Sequence, residues 1–190
     1  MPLGSARFGL LGGVADLGKL ELIQTQTVSG VSSVDFTSIK GSEYNTHFLT
    51  YSNVKLSAGN KQIGMRFYES GSLETASVYR WAIERVEGSS FSEQRTQGFS
   101  RFPVAWYALS TNTGNNANGY FYLYNLNDSS AYSNFTNQSF GWGYNSDTGM
   151  QFGSGVLPQA STVDGIQIAH YDGAGVNLSG TFSIYGIKES

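Results

Sequence analysis

Short stretches of alternating apolar and polar residues recur along this chain, separated by Gly, Asn, Asp and Ser. The alternation has the period of strands rather than helices, and the intervening residues are turn formers. It predicts strands over Leu20 to Val28, Ser32 to Phe36, Thr46 to Leu56, Gln62 to Glu69 and Val78 to Val86. Five more are predicted over Phe99 to Leu109, Gly119 to Leu126, Gln138 to Trp142, Gly165 to His170 and Gly180 to Ile187. The last is the clearest, with Thr181, Ser183 and Tyr185 alternating against Phe182, Ile184 and Gly186, and such a terminal strand is expected to be paired into a sheet. In Tyr79 to Val86 the residues Tyr79, Trp81 and Ile83 are expected to face a core and Arg80, Glu84 and Arg85 water. The pattern slips between Ile83 and Val86, as at a bulge or strand end.

Only Asp16 to Leu20 and Leu73 to Val78 suggest a turn of helix. Ser89 to Gly98, Ser110 to Asn118 and Asn127 to Asn137 read as loops by composition. Residues 1–19 hold five glycines and no alternation, which predicts an extended N-terminal arm. Met1 to Val14 has one basic residue and a Gly-broken apolar stretch, so it is not expected to be a signal peptide. The fold expected is all-β, a single-domain, jelly-roll-like β-sandwich over residues 20–190, following the arm.

Composition sharpens this picture. At 190 residues the chain fits one domain, and 12 Phe, 12 Tyr and 3 Trp supply bulk for a core. Charged residues make up only 13%, against about 25% in ordinary domains. Ser, Thr, Asn, Gln and Gly take their place, giving a neutral, hydrogen-bonding surface suited to assembly or to glycan contact. The net charge of −3 with no basic stripe argues against nucleic-acid partners. No apolar run has the length of a helical membrane span, and no membrane insertion is expected. The absence of cysteine removes disulfides, thiolate ligands and thiol nucleophiles.

Candidate chemistry is sparse. His47 and His170 lie in distant segments, and Gly153-Ser154-Gly155 lacks the flanks of a nucleophile elbow. Glu69 with Glu74, and Glu84 with Glu87, are close in sequence but read as solvated surface. Asn145 to Gly149 and Asn125 to Asp128 space oxygen donors, yet Asx turns explain both more simply than calcium. Four Asn-X-Ser/Thr triplets are what this composition supplies by chance. No catalytic residue, metal ligand or cofactor is assigned, and the chain is expected not to be an enzyme. What stands out is an aromatic-polar cluster, from which Tyr120, Tyr122, Tyr124, Tyr132, Trp142 and Tyr144 are the candidates for interface or glycan contact. Alternation along Tyr120 to Tyr124 favours core plus interface over glycan binding.

Several segments resemble the virion proteins of marine tailed bacteriophages. They are Leu20-Glu21-Leu22-Ile23-Gln24-Thr25-Gln26-Thr27-Val28, Tyr44-Asn45-Thr46-His47-Phe48, Asn118-Gly119-Tyr120-Phe121-Tyr122-Leu123-Tyr124-Asn125 and Gly153-Ser154-Gly155-Val156-Leu157-Pro158. The ending, Val163 to Ile168 followed by Ser179 to Ile187, and Ala6-Arg7-Phe8-Gly9-Leu10 at the start, belong with them. The resemblance implies a non-enzymatic particle component, a capsid decoration protein or a short fibre, with a sandwich body. Its expected partners are further copies of itself as a homotrimer and other virion proteins such as the major capsid or tail proteins. Arg7, Phe8 and Leu10 would tether the arm to a neighbour, and the location would be the virion. A carbohydrate-binding receptor module for host surface glycans is the alternative, and a glycan depolymerase a remote one.

Overall fold

The computed structural model describes residues 19–109, 111, 116–142, 148–170 and 175–188, and of residues 106–109 only the backbone. The candidate residues Arg7, Phe8, Leu10 and Tyr144 lie outside the described residues. The chain is all-β. Its strands are β1 (Leu20–Val31), β2 (Ser33–Phe36), β3 (Thr46–Leu56), β4 (Lys61–Glu69), β5 (Ser72–Leu73), β6 (Tyr79–Glu87) and β7 (Ser90–Phe99). They continue with β8 (Phe102–Leu109), β9 (Ala117–Tyr124), β10 (Tyr132–Trp142), β11 (Thr148–Ala160), β12 (Val163–His170) and β13 (Leu178–Ile187).

These strands form two antiparallel sheets. The larger has eight strands in the order β1-β13-β3-β9-β10-β11-β6-β7, and the smaller runs β2-β12-β4-β5 with β8 also paired to β4. The period of two along each strand of the large sheet sends one set of side chains inward and leaves the other outside. Leu49 and Tyr51 of β3, Phe121 and Leu123 of β9, Phe135 of β10, and Phe182 and Ile184 of β13 are buried. From the smaller sheet Phe36, Ile63, Met65, Phe67, Phe102, Ile166 and Ile168 join the same core. Phe102 ties the layers together: its ring lies 4.4 Å from Phe135, 4.6 Å from Tyr79 and 5.4 Å from Phe67. Edge-to-face aromatic contacts of this kind add to the area that each ring buries.

Five readings of the sequence need correction. Ser89 to Gly98 is not a loop but β7, an edge strand with no buried residue, whose polar composition reflects its position at the margin of the core. Thr148–Ala160, which carried no strand signal, is the longest strand, β11. Its glycines read as turn formers but answer packing: a Cβ on Gly155 would collide with the Phe135 ring, and one on Gly153 with the Ala82 carbonyl. The expected loop Asn127 to Asn137 ends at Ala131, where β10 begins with Tyr132. Leu73 to Val78 holds the end of β5, a loop and a turn rather than helix. Nor is there a bulge between Ile83 and Val86. The register with β11 runs unbroken there, pairing Arg85 with Gln151 on the inner face and Val86 with Met150 on the outer.

Candidate functional site

The outer face of the eight-stranded sheet carries most of the exposed apolar bulk. Register fixes its rows. One runs Leu22, Tyr185, Phe48, Tyr122, Thr136, Ser154, Ala82, Arg95 across all eight strands. The next runs Thr25, Ser183, Thr50, Tyr120, Gln138, Phe152, Glu84, Glu93. On the opposite side of the first lies Leu20, Ile187, Thr46, Tyr124, Asn134, Val156, Arg80.

The face divides into two halves. Over β1, β13, β3 and β9 it is apolar and aromatic. Phe48 packs 4.8 Å from Tyr122, 5.7 Å from Tyr120 and 6.3 Å from Tyr185, and Leu22 beside them is 59% exposed. No ionisable side chain of Asp, Glu, Lys or Arg stands in the three rows over these four strands. Tyr120 donates its hydroxyl hydrogen to Gln138 Oε1 at 2.8 Å, which orients the ring. Over β10, β11, β6 and β7 the face is mixed. There Phe152 and Phe140 stand exposed among Thr, Ser, Gln, Asn, Glu and Arg side chains.

Tyr120, Tyr122 and Tyr124 therefore share one face of β9, while Phe121 and Leu123 between them fill the core. Trp142 and Tyr132 sit at opposite ends of β10, roughly 33 Å apart at about 3.3 Å per residue. The candidates are thus not one constellation. Trp142 and Phe140 border a cleft with Asn53, Asn116, Asn118 and Met150. A second, larger groove of 950 Å³ crosses β9 to β7 and is lined by Tyr124, Asn134, Thr136, Ser154, Arg80 and Arg95, among others. Sequence reading missed the two arginines, because their convergence with Thr136 and Ser154 depends on strand pairing.

The candidate titratable residues elsewhere are engaged by neighbouring groups. His47 is buried, with Nε2 2.7 Å from the Ile39 carbonyl, and burial lowers its pKa. His170 ends β12, where its carbonyl accepts from Arg101 Nη1 at 2.7 Å. Glu69 and Glu74 are not independent solvated groups: Glu69 accepts from the Ser161 hydroxyl, and the two carboxyl groups interact directly. The Gln159 amide lies between them, 3.3 Å from Glu74 and able to turn to within 2.9 Å of Glu69. Burial pushes Glu69 up, and the Ala76 N–H holds Glu74 down. Asp128 accepts from the backbone N–H and hydroxyl of Ser130, an Asx turn that lowers its pKa. Among the described residues no group of three or more His, Asp or Glu converges on a common point. Compared with known protein families, curated proteins and solved structures, the chain has no match in any of the three.

Proposed function

We propose that this chain is a non-enzymatic, homo-oligomeric component of a particle surface, of the virion type that its sequence resemblance implies. The observation that carries the reading is the charge-free patch of Leu20, Leu22, Ile187, Tyr185, Phe48 and Tyr122 on β1, β13, β3 and β9. A contiguous apolar patch of that kind is costly to leave in water and is the usual mark of a protein contact. Tyr and Phe make up half of it, and both are enriched at the centres of interfaces. A second copy is the occupant best suited, since the patch has no charge of its own to complement. Three copies around an axis, as in capsid decoration or fibre proteins, satisfy it without open-ended growth.

Connectivity supports a jelly-roll body for such a particle. Setting aside β5–β7 and β10–β11, the other eight strands fall in the order first-eighth-third-sixth in one sheet and second-seventh-fourth-fifth in the other. That order is the double Greek key of a jelly roll. The remaining strands β10, β11, β6 and β7 then extend its first sheet.

Sedimentation velocity at tens of micromolar tests the association. The expected species is a trimer that dissociates when Phe48→Ser and Tyr122→Ser are combined, with the far-ultraviolet spectrum retained. A wild-type monomer at that concentration overturns the self-association. Density for the chain in cryo-electron microscopy of the particle tests the virion setting.

A further inference from the structure

Beyond assembly, the mixed half of the outer face has the form of a ligand site. The row Thr136, Ser154, Ala82 is made of small side chains on three adjacent strands. The rows either side are taller: Gln138, Phe152, Glu84 on one flank and Asn134, Val156, Arg80 on the other. A trough therefore runs across the strands rather than along them. It begins at Tyr122 and Tyr124 on β9 and ends at Arg95 on β7, crossing four gaps between strands. At about 4.8 Å per gap that is roughly 19 Å, a length suited to a short linear oligosaccharide.

The chemistry changes along its length. At the β9 end Tyr124 offers a half-buried ring, and the adjacent Asn134 and Thr136 carry an amide and a hydroxyl suited to sugar hydroxyls. At the far end Arg80 and Arg95 stand on the same face of neighbouring strands, both exposed, with Gln97 beside them. Neither guanidinium forms an ion pair among the described residues. The three bridges there are Lys40–Glu43, Arg85–Glu87 and Lys188–Glu21. Glu84 and Glu93 on this face are directly opposite each other one row away and line a neighbouring hollow that Arg95 also borders. Two guanidiniums at the end of a polar trough present forked donors that match a carboxylate or sulfate.

We infer that the trough over Thr136, Ser154 and Ala82 binds an acidic oligosaccharide, with its neutral rings toward Tyr124 and an anionic group on Arg80 and Arg95. Glu84 and Glu93 lie one row away on the same two strands as the arginines and limit the positive charge at that end. They disfavour a polyanion of uniform charge density, so the ligand is a saccharide with spaced charges rather than a nucleic acid.

Isothermal titration of the intact protein tests this with three probes: a galacturonate tetramer, a sulfated galactan tetramer and the neutral galactan tetramer. The expected result is that at least one anionic probe binds at least about tenfold more tightly than the neutral one. Arg80→Gln and Arg95→Gln should each weaken it by about tenfold, and together remove the preference for the anionic probe. Ser154→Phe, an exposed position on the trough floor, should abolish binding while the thermal unfolding midpoint holds. Equal binding of the neutral tetramer, no binding of either anionic one, or arginine variants with unchanged affinity would each overturn the assignment. So would an oligonucleotide of equal length binding as tightly. Because the substituted residues Arg80, Arg95 and Ser154 lie outside the Phe48–Tyr185 patch, failure here leaves the oligomeric state untouched, and a monomer can still bind.

Discussion

His47 Nε2 and the carbonyl oxygen of Ile39 lie 2.7 Å apart inside the protein, with Tyr44 meeting the imidazole edge-on at 6.1 Å. His47 is the neutral donor of that bond, and its Nδ1 has no partner among the described residues. Protonation would place a charge on a side chain with no exposed surface, which is why burial lowers its pKa.

A depressed folded-state pKa stabilises the fold above the ordinary histidine value of 6.5, and that contribution is lost as pH falls through the folded value. The thermal midpoint should therefore drop between about pH 7 and about pH 5 more steeply in the wild type than in His47→Gln, which retains a donor for Ile39. Identical slopes for the two proteins would show that His47 does not govern acid stability.

Phe102 should be among the most sensitive core positions. Its ring contacts Phe67, Tyr79 and Phe135, so it links β8 with β4, β6 and β10. Phe102→Ala is expected to cost about 3–5 kcal/mol in urea unfolding, and Phe102→Leu clearly less, since Leu refills most of the cavity. A loss under about 1 kcal/mol for the alanine variant would mean that the surrounding rings collapse onto the gap.

Asn137 presents the opposite case. It faces inward on β10, only 5% exposed, and neither its amide nitrogen nor its oxygen has a partner among the described residues. An orphaned buried amide costs about 1–3 kcal/mol, so Asn137→Leu, similar in shape, should stabilise the protein by about 1 kcal/mol. Urea midpoints measure this directly, and a destabilised variant would show that the polar group is needed where it is.

Strands that bury one face could be read from the sequence. β3, β9 and β13 alternate cleanly because their inner residues, such as Leu49, Phe121 and Phe182, pack against the second sheet. β7 and β11 were hidden for different reasons. β7 buries nothing, so nothing obliges its inner positions to be apolar. In β11, Gly153 and Gly155 stand where side chains would meet Ala82 and Phe135, and glycine in a strand imitates a turn. The same logic divides the site. Tyr120, Tyr122 and Tyr124 are visible because they alternate within one strand. The trough is not, because Thr136, Ser154, Ala82 and Arg95 become neighbours only through the register of four strands.

Strand order also has a consequence for biosynthesis. β1 joins the large sheet through β13, and the hydroxyls of Thr25 and Ser183 that meet across this seam at 2.8 Å are 158 residues apart in the chain. At about 5–20 residues per second a ribosome needs roughly 8–30 s to make that stretch, and throughout it the first strand waits with an open edge. The sheet therefore closes only after translation has delivered β13. A stalled or truncated nascent chain would expose the edges of both β1 and β3, the two strands that β13 joins, to neighbouring chains.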